Sequence, residues 1–264
     1  MAIKVAISGA GRMGREVLLA LVREPEIEPV AVLSRSAREE YLSLPDSSGL
    51  IPFGAEPRTL FQRSQPDVVV DFTHAEWTPR VAQAALEVGA RLVIGTSGLS
   101  GGFLEQLREE CQRRGLGAIV APNFAIGAVL MVHLARLAAR YFETAEIIEL
   151  HHDQKADAPS GTALATAQAM TEARGSPFRR PETQRENLPG TRGGELGGVT
   201  IHSVRLPGLV AHQEVILGGP GQTLTIRHDS TSRESFIPGV LLAIRAVREM
   251  QGLVVGLERV LGLE

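Results

Sequence analysis

The chain has 264 residues, 44% of them apolar, with 27 basic and 30 acidic side chains and a net charge of −3. That length suits one large domain or two modest ones, each with its own core. The balanced charge leaves no basic footprint for nucleic acid or a membrane surface, and no apolar run reaches the roughly 18–20 residues that span a bilayer.

The start, MAIKVAISGAG, leads straight into strand-like sequence without a basic leader or cleavage pattern, which points to the cytoplasm. Five short runs, IKVAIS (3–8), PVAVL (29–33), DVVVDF (67–72), RLVIGT (91–96) and GAIVAP (117–122), are almost continuously apolar. Strands buried on both faces read this way. Helical patterns lie between them, including RMGREVLLALVRE, EWTPRVAQAALEVG and LEQLREECQRRG. The last holds Cys111, the single cysteine, so no intramolecular disulfide forms. Residues 34–66 are less regular, with SLPDSSGLIPFG reading as loop.

A different pattern follows. AIGAVLMVHLARLAARYF (125–142) reads as one long apolar helix. AEIIELHH, GGVTIHSVRL, AHQEVILGG and QTLTIRHDST follow, several alternating as antiparallel strands do, with GGPGQ (218–222) as a hairpin turn. One helix, GTALATAQAMTEARG, interrupts them. Residues 175–198, rich in Gly, Pro, Arg and Glu, read as a mobile loop and a candidate lid. The tail SFIPGVLLAIRAVREMQGLVVGLERVLGLE reads as helix returning to the first domain.

The expected fold class is therefore α/β: a Rossmann-type doubly wound parallel sheet plus a smaller α+β domain with a mixed or antiparallel sheet. Residues 1–124 and 233–264 form the dinucleotide-binding domain, and 125–232 the substrate-binding and oligomerisation domain.

The first strand runs into Gly9-Ala10-Gly11-Arg12-Met13-Gly14, which opens a helix. That is the setting a G-x-G-x-x-G dinucleotide fingerprint requires. Its glycines permit a tight turn, approach of a pyrophosphate and close helix–strand packing. At the end of the second strand stand Ser34 and Arg35, without the acid that grips a ribose 2′-hydroxyl. Arg35 can hold a 2′-phosphate, so NADPH is favoured over NADH. The loops Gly95-Thr96-Ser97 and Ala121-Pro122-Asn123-Phe124 leave later strands where cofactors bind in such sheets.

ELHHDQKADAPSGTA (149–163) concentrates chemistry between a strand and a helix. It also holds Lys155, one of only two lysines. As a metal site it is poor, because adjacent histidines on an extended chain point apart. As a plain loop with Ser160 as helix cap it is unremarkable. As an anion-binding catalytic loop it explains more. The amides and hydroxyls of Ser160, Gly161 and Thr162 form a carboxylate cradle. His151, His152 and Lys155 supply proton donors and cationic partners.

This stretch resembles the signature of the 4-hydroxy-tetrahydrodipicolinate reductase family, long called dihydrodipicolinate reductases. The likeness extends through GAGRMG, DFT (71–73), GTSG (95–98), APNFAIG (121–127), RGGELGG (192–198) and TSRESF (231–236). It implies an NAD(P)H-dependent oxidoreductase of lysine and diaminopimelate biosynthesis, assembled as a homotetramer, with no metal. It implies His151 as general acid, with Lys155 assisting protonation and holding substrate. His152, Ser160, Gly161 and Thr162 match substrate contacts; the GAGRMG, GTSG and APNF segments and Arg35 match cofactor contacts. Hydride is then delivered to C4 of a cyclic imine dicarboxylate as its 4-hydroxyl leaves as water, and the resulting enamine is protonated. Three positions depart from the pattern: Ser34 replaces an acid, Ser97 a threonine and Ala125 a serine. An amino-acid dehydrogenase and a non-catalytic NADP sensor remain alternative readings, and both account poorly for 149–163.

Overall fold

The computed structural model describes residues 2–263. They fall into two compact units: one runs to Ile126 and resumes at Arg233, the other is Gly127–Ser232.

The first unit follows the βα alternation. Its elements are β1 (Ile3–Ser8), α1 (Arg12–Arg23), β2 (Ile27–Leu33), β3 (Tyr41–Ser43), β4 (Leu50–Gly54), α2 (Pro57–Ser64), β5 (Val68–Asp71), α3 (Thr78–Glu87), β6 (Arg91–Ile94), α4 (Gly101–Arg114) and β7 (Gly117–Val120). Strand order is β13-β7-β6-β5-β1-β2-β4-β3, where β13 is Gly252–Val255, and only the β3–β4 pair is antiparallel. Every residue of β5 and β7 is buried, as strands covered on both faces must be. Short β-branched runs such as VVVD pack well only on that pleated, enclosed surface.

Two stretches differ from the pattern-based expectation. Within 34–66, residues expected to be loop form the β3–β4 hairpin at the sheet edge, followed by α2. The turn chemistry of Asp46, whose carboxylate accepts from the Ser48 amide and hydroxyl, masks two strands too short to show a period. The tail is not helical throughout: α7 (Ile237–Val247) stops, and β13 adds to the sheet parallel to β7. Four residues, GLVV, carry too little period to separate strand from helix, and only an open edge beside β7 settles the choice.

Cys111 is fully buried on α4, and burial pushes its thiol up to about 11. Its thiolate is the reactive form, so the native protein is expected to give no reaction with a disulfide probe until denatured.

The second unit begins at the second residue of α5 (Ile126–Ala138), which one turn of 3₁₀ helix extends at Ala139–Tyr141. There follow β8 (Thr144–His151), α6 (Gly161–Arg174), β9 (Gly194–Leu196), β10 (Val199–Arg205), β11 (Ala211–Gly219) and β12 (Gln222–Ser230). The sheet order is β12-β11-β8-β10-β9, and β8 and β10 run parallel, so the sheet is mixed. Met131 and Ala135 of α5 and Ala163, Ala167 and Met170 of α6 pack with Ile147, Ile201, Val215 and Leu217 in one core. The segment 175–198, expected to be an irregular mobile loop, is tied down at its end. There β9 pairs with β10, Arg180 donates to the carbonyl of Arg192, and Arg192 pairs with Glu146 at 2.6 Å. No helix among the described residues is long and apolar enough to cross a membrane.

Candidate active site

In the first unit the glycine-rich turn is built as the fingerprint demands. Gly9 sits at φ +112°, a conformation that strains any side chain. A Cβ on Gly14 would lie 1.8 Å from the Gly9 carbonyl oxygen, so only glycine lets α1 pack this close. At Gly11, by contrast, a Cβ would meet nothing within 4 Å. That open side, beside first-turn amides which no helical carbonyl can satisfy, fits a pyrophosphate. No acid occupies the first turn of α1, where it would repel one. Ala10 and Met13 are half-buried beside this turn and Arg12 is exposed.

The remaining candidate cofactor residues also sit beyond strand ends. After β2, half-buried Ser34 and exposed Arg35 leave the sheet, and the Arg35 guanidinium stacks 5.8 Å from the ring centroid of Trp77. Arg80 stacks on the same ring at 5.2 Å. After β6, Gly95 has a packing role: a Cβ there would come within 2.0 Å of the Phe72 ring. Thr96 is buried and turns its hydroxyl inward to Asp71 at 2.9 Å, while Ser97 is exposed. After β7, Ala121 and Phe124 are buried, Pro122 is exposed, and Asn123 folds its side-chain carbonyl back to accept from the Ala125 amide. Buried Asp71 accepts from the hydroxyls of Thr73, Thr78 and Thr96, so one carboxylate joins the loops after β5 and β6.

In the second unit the chemistry gathers where β8 meets α6. The buried positions of β8 alternate as Ala145, Ile147 and Glu149, and His151 continues the same face. An acid therefore occupies a position where the pleat calls for an apolar residue. Glu149 is fully buried. Arg205 donates to both its oxygens at 2.7 and 2.9 Å, and His151 Nδ1 lies 2.5 Å away. The Ser160 amide donates to it at 3.3 Å. Burial raises the Glu149 carboxyl, but hydrogen bonds from Arg205, Ser203 and His151 outweigh it, and the net direction is down. His151 is lowered below 6.5, chiefly because burial disfavours the cation, against the opposing pull of Glu149.

Lys155 reaches Asp157 at 2.6 Å, and this contact holds the Asp157 carboxyl below its usual value. His152 is exposed. Ser160 caps α6 as its position requires, its hydroxyl accepting from the Ala163 amide at 3.2 Å. Both its hydroxyl and its amide are thus engaged inside the protein, and Ser160 itself is buried. Gly161 and Thr162 are different. They head the helix with free amides, and a Cβ on Gly161 would meet nothing within 4 Å. Of the three residues expected to form an anion cradle, those two alone keep their backbone open. Among the described residues no group of three or more His, Cys, Asp or Glu is placed to hold a metal ion.

Sequence reasoning gave no role to Glu149 or Asp71, although both lie in the quoted segments 149–163 and 71–73, and none to Arg205 or Trp77. Two of them left a signal: an acid in phase with apolar residues in AEIIEL, and the only tryptophan of the chain beside a strand-end loop.

Comparison with known proteins accounts for both units. The family model described as Dihydrodipicolinate reductase, N-terminus, matches residues 3–124, and its C-terminus counterpart matches 127–261. A curated 4-hydroxy-tetrahydrodipicolinate reductase of Dehalococcoides mccartyi is 48% identical over 262 residues, covering 99% of each chain. One from Moorella thermoacetica is 49% identical over 264 residues, covering 98% of each. The solved dipicolinate-bound dihydrodipicolinate reductase from Paenisporosarcina sp. TG-14 superposes with a TM-score of 0.88 at 44% identity, over 98% of this chain and 99% of that one. An amine dehydrogenase from Mycobacterium smegmatis, at 14% identity and a TM-score of 0.67 over 96% of this chain and 95% of its own, shares the fold alone. With both units matched end to end and relatives near half identity, the chain belongs to the dihydrodipicolinate reductase family.

Proposed function

We infer that the chain reduces 4-hydroxy-tetrahydrodipicolinate to tetrahydrodipicolinate with NAD(P)H, in lysine and diaminopimelate biosynthesis. One hydride and one proton are consumed, and NAD(P)⁺ and water are released. The observation that carries this reading is the loop after β8. There a buried carboxylate holds a histidine, with a lysine and two free helix-start amides in the same 15-residue stretch.

The residues divide the work by chemistry. When bound, the nicotinamide supplies the hydride. Gly9, Ala10, Gly11, Arg12, Met13 and Gly14 form the turn that receives the pyrophosphate, and the strand-end loops through Gly95–Ser97 and Ala121–Phe124 line the rest of the cofactor site. The amides of Gly161 and Thr162 hold one substrate carboxylate, with Ser160 fixing the helix start. His152 and Lys155 hold the other, and neutralising both charges lowers the cost of placing a dianion against a developing negative centre. His151, assisted by Lys155, delivers the proton from its outward nitrogen.

The first unit takes the dinucleotide, and the second takes substrate and makes the subunit contacts of a homotetramer in the cytoplasm. Supporting the assembly, α5 shows Leu130, Leu134 and Leu137 at helical spacing, each more than a third exposed, next to Tyr141 at 84%. Sedimentation should give a mass near four chains.

NADPH is the preferred donor, supported by exposed Arg35 beside Ser34 and by the absence of an acid at that strand end. Arg35→Ala is expected to lower kcat/KM for NADPH by about 10- to 100-fold, the worth of a charge-assisted phosphate contact, and to leave NADH within about threefold. An equal loss with both cofactors would remove Arg35 from the 2′-phosphate. The activity itself is tested by following NADPH consumption coupled to dihydrodipicolinate synthase. Oxidation that requires the synthase supports the reading, and none at saturating enzyme refutes it. Thermal stabilisation by pyridine-2,6-dicarboxylate separates a reductase from a cofactor-sensing protein.

A further inference from the structure

We propose that Glu149 is a positioning residue for the reaction: it holds His151 in the Nδ1-protonated tautomer and leaves Nε2 to meet substrate, while Arg205 keeps the carboxylate ionised and in place. The proposal rests on the reading of His151 as proton donor.

The geometry carries it. β8 is an alternating strand, so Glu149 and His151 lie on one face, two residues apart, beneath α6. In the parallel register of β8 with β10, Ser203 faces Glu149 and Arg205 faces His151. The guanidinium grips both Glu149 oxygens and also donates to the Asp157 carbonyl at 2.8 Å, tying the catalytic loop to the same carboxylate. A carboxylate so held accepts only, so the nitrogen 2.5 Å from it must be the one that carries hydrogen. Substrate is then left with Nε2, which donates a proton only from the imidazolium.

A buried ion pair in the core of a small sheet is expensive to build. An apolar residue at position 149 would pack there without that cost. The acid's position against an imidazole that protonates substrate gives it a purpose that packing does not. The charged groups acting on His151 are Glu149 on its own strand, Lys155 in the following loop and Arg205 on β10. On β11 the residue in register with Glu149 is neutral Gln213, which donates to Thr166 of α6.

Two measurements test this. In the unaltered protein, ¹⁵N resonances of the His151 ring above its titration should show a protonated Nδ1 and an unprotonated Nε2; the opposite tautomer overturns the proposal without reference to activity. Kinetically, Glu149→Gln is expected to lower kcat by at least about tenfold, as where a carboxylate orients a catalytic histidine, with NADPH affinity unchanged. Its alkaline limb in kcat/KM should move to lower pH, because the anion that favours the imidazolium is gone. Added to His151→Gln, it should cost nothing further. Glu149→Gln within threefold of wild type overturns the proposal, as do penalties that multiply in the double variant. If His151→Gln alone leaves kcat unchanged, the proton-donor reading fails first and takes this one with it.

Discussion

Replacing His151 with glutamine is expected to reduce kcat by about 10²- to 10⁴-fold, the usual worth of a general acid, with far less effect on KM. Glutamine keeps most of the volume and a hydrogen-bonding group towards Glu149, so the loop stays in place while the proton is lost. The pH profile sharpens the test. A general acid works in its cationic form, and His151 is lowered below 6.5 by burial. In the free enzyme, kcat/KM should therefore fall as pH rises, with a midpoint on the acid side of 6.5. The midpoint in kcat should lie higher, because a bound dicarboxylate favours the imidazolium. The glutamine variant should lose this limb from both profiles. A variant within a few-fold of wild type, or one that keeps the limb, would show that the proton comes from elsewhere.

Arg205→Ala is expected to cost about 3 kcal/mol of stability at neutral pH, because it strands a buried carboxylate. The sign of the pH dependence distinguishes this from lost packing. In the wild type the folded Glu149 carboxyl is lowered from 4.5, so its contribution is complete above 4.5 and is lost as pH falls through the lower folded value. In the variant, burial is left without its main opponent, and the folded value rises above that of the unfolded chain. Its penalty is then largest at neutral pH and shrinks as acid neutralises the group. Urea unfolding at about pH 7 and about pH 5 reads the difference: the gap between the two proteins should narrow at the lower pH. A constant gap would assign Arg205 to packing alone. The same variant should lose activity, since Arg205 also anchors the Asp157 carbonyl.

Much of the architecture was legible because its signals are local. Five apolar runs with helices between them can be little other than a parallel sheet; β1, β5, β6 and β7 formed within those runs, and β2 contains its run and starts two residues earlier, at Ile27. The glycines of 9–14 could be assigned separate tasks, and Gly14 and Gly11 show two of them, one crowded and one open. The β3–β4 hairpin and β13 were not legible, for the opposite reason. They are strands of three to five residues at the two ends of the sheet, too short to show a period, and β4 and β13 are held by pairing with β2 and β7 across the intervening sequence.

The site divides along the same line. HHDQKADAPSGT is contiguous, so the histidine, the lysine and the helix cap could be read together, and Ser160 caps α6 as its residue type predicts. Which groups remain available to a ligand could not be read. Ser160 was expected both to cap the helix and to hold a carboxylate, yet the cap occupies its hydroxyl, and the Thr96 hydroxyl bonds Asp71.

The sequence by itself determined the alternation of elements, the fingerprint turn and the residue types of the catalytic loop, since each depends on neighbours a few positions apart. Only the tertiary structure brought Arg205, 56 residues from Glu149, onto the same carboxylate. The parallel register of β8 and β10 makes that contact, and strand register is a property of the whole sheet that no local window contains.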